Sequence, residues 1–342
     1  MSSKAARRGI FVIAEAGVNH DGSLDTAKAL VRQARTAGAD AVKFQTFRAD
    51  ALAGAGLEKA EYQKKTTGAA ESQLSMLRRL ELGVEEHREL VRYCRSQRIT
   101  FLSTPFDEQS ADLLESLGVP MFKIGSGELT NLPFLRHVAR KKRPMLISTG
   151  MANLGEVEEA LDAVLSEGNR EVTLLHCVTE YPAPPAEVNL KAMHTLRMAF
   201  GLPVGYSDHT EGIEIALAAA AMGAVVIEKH LTMDRLAPGP DHRSSLEPPE
   251  FAGMVRSIRN IEAAMGDGRK RPAPCEIKNI PMARRSVVAR GAIAQGHVIT
   301  RDMLAIMRPG SGIAPRDLEK IVGLKARRSI SAGSAISWDD LV

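Results

Sequence analysis

Residues 204–231 read VGYSDHTEGIEIALAAAAMGAVVIEKHL and place two β-like runs on either side of a helix-like apolar stretch. The first run is Val204–Thr210, the second is Val225–Leu231, and the stretch between them ends at Gly223. Each run starts with apolar residues and finishes with polar ones. Because strands that alternate with helices pair in parallel, the two runs predict neighbouring parallel strands with their polar ends side by side.

The same unit recurs along the chain. Six more β-like runs, separated mostly by amphipathic helix-like stretches, precede this pair: Phe11–Gly17, Ala41–Phe47, Thr100–Phe106, Met121–Gly127, Pro144–Gly150 and Val172–Val178. Together the eight runs and their helices cover roughly 250 residues, the usual size of a (β/α)8 TIM barrel. A doubly wound sheet is the competing α/β fold, but no G-x-G-x-x-G motif opens the first helix.

The sequence changes character after the eighth unit. Residues 266–281 are rich in Pro, Gly, Lys and Arg, as is typical of a linker, and residues 282–342 contain short β-like pieces. We therefore predict a barrel domain over 1–265, a linker over 266–281 and a small β-rich domain over 282–342. A domain of about 60 residues has a marginal core. We expect it to pack on its own barrel or on that of a partner subunit.

Composition disfavours several classes of protein. The chain has 342 residues, of which 44% are hydrophobic and 25% charged, as in soluble globular proteins. No run reaches the roughly 18 apolar residues of a membrane span, so no membrane partner is expected. The net charge is only +4, and aromatic residues do not interleave with basic ones, so no nucleic acid partner is expected. Three widely spaced cysteines and no evident signal peptide favour the cytoplasm.

Polar residues accumulate where the predicted strands end. In a TIM barrel all eight carboxyl ends meet at one mouth, and burying so many polar groups there is costly without a ligand. Lys43 and Lys123, with Ser126 and Ser148, suit a phosphate or a carboxylate. Either lysine could instead form a Schiff base, as in an aldolase, or pair with a carboxylate such as Glu15.

Two histidines form a second candidate cluster. His209 and His230 end successive strands, and Glu228 points to the same side as His230 because side chains alternate along a strand. Two imidazoles with carboxylates and waters suit a divalent ion such as Mn2+ or Zn2+. The alternative is a hydrogen-bonded pair that binds no metal. Cys177 beside His176 is either a nucleophile pair or part of the core.

Four more polar residues could contact a polyhydroxylated ligand, namely Glu15, Gln45, Tyr181 and Asp241. Asp241 could instead cap a helix. Arg308 lies in an RPGSG turn of the small domain, where an arginine is more often solvated than bound to a ligand.

Eight ordered segments carry a resemblance to a known family: FVIAEAGVNHDGS (11–23), GADAVKFQTF (38–47), STPFD (103–107), FKIGSGELTNLP (122–133), ISTGMA (147–152), LHCVTEYPAP (175–184), GYSDHT (205–210) and IEKHLT (227–232). They resemble the sialic acid synthase family, which includes N-acetylneuraminate and legionaminate synthases. The resemblance implies a (β/α)8 barrel followed by an antifreeze-protein-like (SAF) domain. It also implies an enzyme that condenses phosphoenolpyruvate with an open-chain N-acetyl amino sugar and releases phosphate by C–O cleavage.

The resemblance also implies roles for individual residues. His209 and His230 match metal ligands, usually for Mn2+, with Mg2+ or Co2+ as alternatives. The positions that match phosphoenolpyruvate contacts are Lys43, Thr104, Lys123, Ser126, Ser148 and Ser207. The positions on the amino-sugar side are Glu15, Gln45, Tyr181, Glu228 and Asp241, with Glu15 a candidate to position or deprotonate the water that adds to C2. Thr179 is a further predicted substrate-binding residue. Arg308 matches an arginine that reaches the partner's barrel, which implies a domain-swapped homodimer.

Two departures concern the sugar side of the site. The family often has Asn-His-Asn-Gly where this chain has Asn19-His20-Asp21-Gly22, and Thr179 stands where some members carry Asn. We predict an N-acetylneuraminate synthase that uses N-acetylmannosamine. The alternatives are an N,N'-diacetyllegionaminate synthase that uses 2,4-diacetamido-2,4,6-trideoxymannose, a Schiff-base aldolase, and a non-catalytic carbohydrate-binding protein of capsule or coat assembly.

Overall fold

The computed structural model describes residues 9–52, Lys59 and residues 72–342. They form two compact units, which divide between Gly266 and Asp267. Within the described residues, no helix combines the length and apolarity needed to cross a bilayer.

Eight parallel strands form the first unit. Their bounds are β1 Phe11–Gly17, β2 Ala41–Thr46, β3 Thr100–Pro105, β4 Phe122–Ile124, β5 Met145–Ser148, β6 Val172–His176, β7 Val204–Asp208 and β8 Val226–His230. Hydrogen bonds join them in the order β3-β2-β1-β8-β7-β6-β5-β4. The outermost strands of this order, β3 and β4, lie against each other and close the sheet. The predicted (β/α)8 barrel is confirmed.

Helices surround the barrel. Those described in the first unit are α1 Leu24–Thr36, α2 Ala49–Leu52, α3 Gln73–Leu80, α4 Val84–Gln97, α5 Glu108–Ser116, α6 Leu132–Arg140, α7 Leu154–Ser166, α8 Ala192–Phe200, α9 Glu214–Ala221 and α10 Pro248–Met265. Several start at side chains that cap the first turn. Ser23, Asp107 and Asn153 each accept a hydrogen bond from the backbone three residues on.

The alternation of side chains along each strand separates the core from the mouth of the barrel. In β8, Val226 lies inside the barrel in an apolar layer with Ile13 and Leu102. Ile227 faces the helices and joins the larger core. The inward positions after Val226 are polar, because Glu228 and His230 follow at intervals of two. The apolar layer therefore closes the barrel below, and polar side chains line it above.

The second unit has its own small core. Its strands are β9 Ser286–Ala289 and β10 Leu304–Met307, which pair antiparallel. Its helices are α11 Pro274–Ile277, α12 Ile280–Ala283 and α13 Leu318–Ile321. Val287, Ile299, Ile321 and Ile336 are fully buried in this core. The β-rich character predicted for residues 282–342 is confirmed.

Candidate active site

A cavity of about 400 Å³ opens at the carboxyl ends of the barrel strands. It brings together the fourteen barrel residues that the sequence predicts for the site: Glu15, Lys43, Gln45, Thr104, Lys123, Ser126, Ser148, Thr179, Tyr181, Ser207, His209, Glu228, His230 and Asp241. The fifteenth predicted residue, Arg308, belongs to the second unit, where its Nε donates to the backbone oxygen of Ala283 at 3.1 Å.

A buried charge network occupies the floor of the cavity. Lys43 Nζ lies 2.7 Å from Glu15 Oε2 and 3.7 Å from Glu228 Oε2, and it donates to Thr104 Oγ1 at 2.9 Å. Lys123 Nζ lies 3.4 Å from Glu228 Oε1. The ion pairs that the sequence left as an alternative role for the lysines are therefore present. Two ammonium and two carboxylate groups in a water-poor space form a site that stabilises charge on a ligand.

Burial and charge set the protonation of this network. Burial alone would lower the pKa of Lys43, but Glu15 and Glu228 outweigh it and raise that pKa. Burial would likewise raise the pKa of Glu228, but Lys123 and Lys43 outweigh it and lower the pKa to about 2. For Glu15 burial dominates and raises the pKa to about 7, against the opposing effect of Lys43. Glu228 is thus a permanent carboxylate, whereas Glu15 can exchange a proton near neutral pH.

The anion side of the cavity is built around Gly150. Ser126 Oγ accepts a hydrogen bond from the Gly150 amide at 3.0 Å and lies 3.1 Å from Cys177 Sγ. A Cβ at Gly150 would lie 2.4 Å from Thr179 Oγ1 and 2.7 Å from Ser126 Oγ, so a larger residue here would displace these hydroxyls. The hydroxyl oxygens of Ser148 and Thr179 are buried, and neither has a hydrogen-bond partner within the described part of the chain. Such unpaired groups around a cavity indicate a ligand that supplies the missing partners.

The predicted alternative of a Cys177–His176 nucleophile pair is wrong. His176 Nε2 bonds to the backbone oxygen of Val188 at 2.7 Å, whereas Cys177 lines the cavity next to Ser126. Adjacent residues at a strand end point in opposite directions, so the two side chains cannot act together.

The two predicted metal histidines are buried and face each other. The ring centroids of His209 and His230 are 5.5 Å apart, and the Tyr181 ring lies 4.2 Å from that of His209. His209 Nδ1 lies 2.6 Å from the Val178 carbonyl oxygen and donates to it, so Nε2 carries the lone pair of the ring and lies 3.4 Å from Ser207 Oγ. Burial lowers the pKa of His209 to about 4 and that of His230 well below its usual value. Both imidazoles are therefore neutral, the form that binds metals.

The histidines do not by themselves complete a metal site. Across residues 9–52, Lys59 and residues 72–342, no three His, Cys, Asp or Glu side chains are grouped so as to hold a metal ion. Asp241 Oδ2 lies 3.9 Å from His230 Nδ1, and no described residue hydrogen-bonds to that nitrogen. A metal bound here would need water or substrate oxygens to complete its coordination.

Sequence reasoning missed a buried network behind the histidines. Lys229 Nζ donates to Asp208 Oδ2 at 2.8 Å and to the backbone oxygen of Thr210. Asp208 Oδ1 accepts from the amide and the hydroxyl of Thr210 at 3.0 and 2.8 Å. The network therefore links Asp208 and Thr210, which flank His209, to Lys229, which precedes His230. The signal was present in the sequence, since a Lys and an Asp at outward positions of adjacent strands need partners.

The apolar lining of the cavity was also missed. Val18, Leu52, Met76, Leu77, Leu80 and Phe106 line it together with Gln73. Four of these residues come from α3, a helix whose polar and apolar residues alternate with the helical period. Nothing in that pattern distinguishes a helix that covers a cavity from one that covers the core.

A closed parallel barrel with charged and polar groups converging at its carboxyl ends defines a TIM-barrel enzyme. The chain belongs to the NeuB family, whose model matches residues 30–270, and a SAF domain model matches residues 284–342. The N,N'-diacetyllegionaminic acid synthase of Campylobacter jejuni is 51% identical and covers 93% of this chain and 96% of its own length. The enzyme of the same name from Legionella pneumophila is 49% identical, covering 97% and 94%.

A solved structure agrees with the family assignment. The N-acetylneuraminic acid synthetase of Leptospira borgpetersenii serovar Hardjo-bovis, crystallised with citrate, superposes with a TM-score of 0.69. It is 34% identical and covers 80% of this chain and 90% of its own. The predicted family, the enzyme class and the SAF domain are therefore confirmed.

Proposed function

We propose that this enzyme condenses phosphoenolpyruvate with 2,4-diacetamido-2,4,6-trideoxymannose to give N,N'-diacetyllegionaminic acid and phosphate. One observation above all supports this class of reaction. A single cavity holds an anion site made of lysines and serines beside two neutral, buried histidines. The similarity to two diacetyllegionaminic acid synthases supports the choice of sugar. This proposal replaces N-acetylmannosamine, the sugar first predicted, with the alternative.

The anion side of the cavity suits phosphoenolpyruvate. Lys123 and the hydroxyls of Ser126 and Ser148 offer a cation and hydrogen-bond donors for the phosphate. Lys43 and Thr104, which already contact each other, and Ser207 are available to the carboxylate. Gln45, Thr179, Tyr181 and Asp241 then remain for the sugar.

We assign a divalent metal, Mn2+ in the first instance, to His209 and His230. The fit rests on their neutral imidazoles, on the Nε2 lone pair of His209 and on the unpaired Nδ1 of His230. When bound, the metal would supply a Lewis acid for the sugar aldehyde. His209 and His230 themselves hold the aldehyde end of the sugar beside Tyr181, whose ring packs on that of His209.

The chemistry balances with the groups present. The C3 carbon of phosphoenolpyruvate forms a bond to the aldehyde carbon, whose oxygen takes up a proton. Water adds to C2, and the bond between C2 and the phosphate-bearing oxygen breaks, which releases phosphate and leaves a 2-keto acid. Of the two protons of that water, one ends on the aldehyde oxygen and the other leaves with the phosphate. Glu15, a carboxyl that can exchange a proton, takes the proton from the water. Glu228, held ionised by Lys123 and Lys43, stabilises positive charge that develops at C2.

The test is phosphate release from phosphoenolpyruvate with each of the two sugars, with Mn2+ and with EDTA. We expect metal-dependent release that favours the diacetamido sugar, and loss of at least about a hundredfold in kcat for Glu15→Gln. A preference for N-acetylmannosamine would overturn the sugar. Release that survives EDTA would overturn the metal, and no release with either sugar would favour a non-catalytic carbohydrate-binding protein.

The Schiff-base alternative has a test of its own. Burial lowers the pKa of Lys123, and Glu228 opposes that effect, so Lys123 is the better candidate for an amine nucleophile than the ion-paired Lys43. Reduction with borohydride in the presence of pyruvate would add a pyruvate-derived mass to the chain if an imine forms. We expect no such adduct.

We further propose a homodimer in the cytoplasm in which Arg308 of each subunit reaches the partner's barrel. Arg308 is exposed on the second unit, where it is available to another chain. The three cysteines are unpaired, which fits a reducing compartment. Light scattering that gives the mass of a single chain would overturn the dimer.

A further inference from the structure

One side of the cavity is apolar, and the proposed reaction at the aldehyde does not use it. We define the apolar wall as Val18, Leu52, Met76, Leu77, Leu80 and Phe106. Val18, Met76 and Leu80 are buried together in one apolar cluster, and the other three pack against that cluster. The wall is therefore a continuous surface held in place by its own packing.

Gln73 adds one polar group to this surface. It is the first residue of α3 and the polar member of the four residues that α3 contributes to the cavity. Its Oε1 atom is buried and has no hydrogen-bond partner among the residues that the structure describes. A buried acceptor without a donor is unfavourable, so a donor carried by a bound ligand would satisfy it.

The apolar wall continues directly from the residues assigned to the sugar. Gly17 precedes Val18, and a Cβ placed on Gly17 would lie 3.3 Å from Asp241 Oδ2 and 3.5 Å from Gln45 Nε2. The sugar-side polar groups therefore converge one residue away from the wall. A sugar that is held by Gln45 and Asp241 would extend onto the wall with the part of its chain that is remote from the aldehyde.

We propose that the apolar wall and Gln73 form the subsite for the distal half of the sugar, carbons 4 to 6, and that this subsite selects the diacetamido-trideoxy sugar. The inference rests on the proposed function. The C6 methyl and the acetyl methyl on N4 would leave water for the wall, and the amide N–H on C4 would donate to Gln73 Oε1. N-acetylmannosamine has hydroxyls at C4 and C6, and the C6 hydroxyl would lose water with no partner on the wall.

Two substitutions separate the apolar and polar parts of the subsite. Leu77 is half-buried and lines the cavity, so Leu77→Gln places a polar group on the wall with little loss of core. A methyl in a hydrophobic pocket discriminates by roughly 10- to 200-fold, so the kcat/KM ratio of diacetamido sugar to N-acetylmannosamine should fall at least about tenfold. Gln73→Leu should raise KM for the diacetamido sugar about five- to tenfold, leaving kcat and the KM for phosphoenolpyruvate within about twofold.

Each variant has a matched control. Leu77→Met keeps an apolar side chain at the same position and should leave the sugar ratio unchanged. Gln33→Leu makes the same replacement as Gln73→Leu at a half-buried position of α1 that does not line the cavity. Thermal melting with and without the diacetamido sugar checks folding and reports sugar binding without turnover.

The outcomes separate this inference from the proposed function. Suppose that the wild-type enzyme prefers the diacetamido sugar and that Leu77→Gln keeps the kcat/KM ratio of the two sugars within about twofold of wild type. The apolar wall then does not select the sugar, although the proposed function stands. An unchanged KM in Gln73→Leu would remove Gln73 from the subsite. If the wild-type enzyme prefers N-acetylmannosamine, both the inference and the choice of sugar are overturned.

Discussion

The buried pair of Lys229 and Asp208 provides a test of how the histidine-bearing strands are held. Both side chains are 0% exposed, and the pair joins the ends of β7 and β8. Lys229→Met keeps most of the side-chain volume and removes the ammonium group. The perturbation leaves the Asp208 carboxylate buried without its cation and the Thr210 carbonyl without the ammonium donor.

The expected cost follows from what remains around Asp208. Removing one partner of a buried ion pair typically costs about 3–5 kcal/mol. Asp208 keeps two hydrogen bonds from Thr210, so we expect the lower end, about 3 kcal/mol of unfolding free energy. The double variant Lys229→Met with Asp208→Asn buries no net charge and still accepts from Thr210. It should cost about 1 kcal/mol, less than Lys229→Met alone.

Urea unfolding followed by far-UV circular dichroism measures these differences in the full chain. The barrel contains most of the described helical residues, so this signal reports mainly on the first unit. Trp338, the one tryptophan of the sequence, lies in the second unit, and its fluorescence follows that unit separately. Lys28→Met is the matched control, because Lys28 pairs with Glu89 at a partly exposed site and should cost less than about 1 kcal/mol.

Two results would contradict a stabilising role for the buried pair. If Lys229→Met costs no more than Lys28→Met, the buried pair does not stabilise the barrel. If the double variant is destabilised by the sum of the two single effects, the pair has no coupling energy. Either result would mean that β7 and β8 are held at the histidines by packing and strand hydrogen bonds alone.

Three further predictions concern the site, the assembly and the thiols. Lys43→Met should leave the carboxylates of Glu15 and Glu228 without the cation between them, and kcat/KM for phosphoenolpyruvate, measured by phosphate release, should fall about a hundredfold or more. An unchanged kcat/KM would remove Lys43 from the anion site. If Arg308 acts in the partner's barrel, inactive His209→Ala and Arg308→Ala chains, mixed and allowed to exchange, should recover about a quarter of wild-type activity, because mixed dimers contain one intact site. No recovery would place Arg308 in its own subunit's site, and full activity of the Arg308→Ala chain alone would place it outside any site. Exposed Cys275 should react rapidly with a thiol reagent at pH 8, whereas buried Cys94 should react only after unfolding, because burial raises the pKa of its thiol to about 12. Equal reaction rates would contradict the burial of Cys94.

Much of the site was predictable because the barrel follows from a repeated local pattern. Short apolar runs, helical periodicity and a glycine after most helices recur eight times, and a closed parallel sheet is the architecture in which so many equivalent units bury their apolar faces. Once the barrel is predicted, each strand end points to the same mouth. Lys43, Lys123, His209 and His230 could therefore be grouped, although each lies far from most of the others in sequence.

What could not be predicted depends on distances between elements. The sequence offers ion pairing of Lys43 and Lys123 only as one alternative, and the distances within the pairs and the opposite pKa shifts of Glu15 and Glu228 arise only when four strands close around them. A pKa depends on burial and on charges within a few ångströms, and neither is a property of local sequence.

The sequence by itself determined the order of strands and helices, the face that each strand turns inward and the chemical type of the floor of the cavity, because these follow from periodicity and residue identity. Only the tertiary structure decided that α3 forms an apolar wall with Gln73 at its start, and that Lys229 ties β8 to β7 behind the histidines. Both features depend on which neighbouring element a helix or a side chain packs against in the folded chain. An amphipathic pattern predicts that one face of a helix is buried. Only tertiary packing determines whether that face is buried against the core or against a ligand.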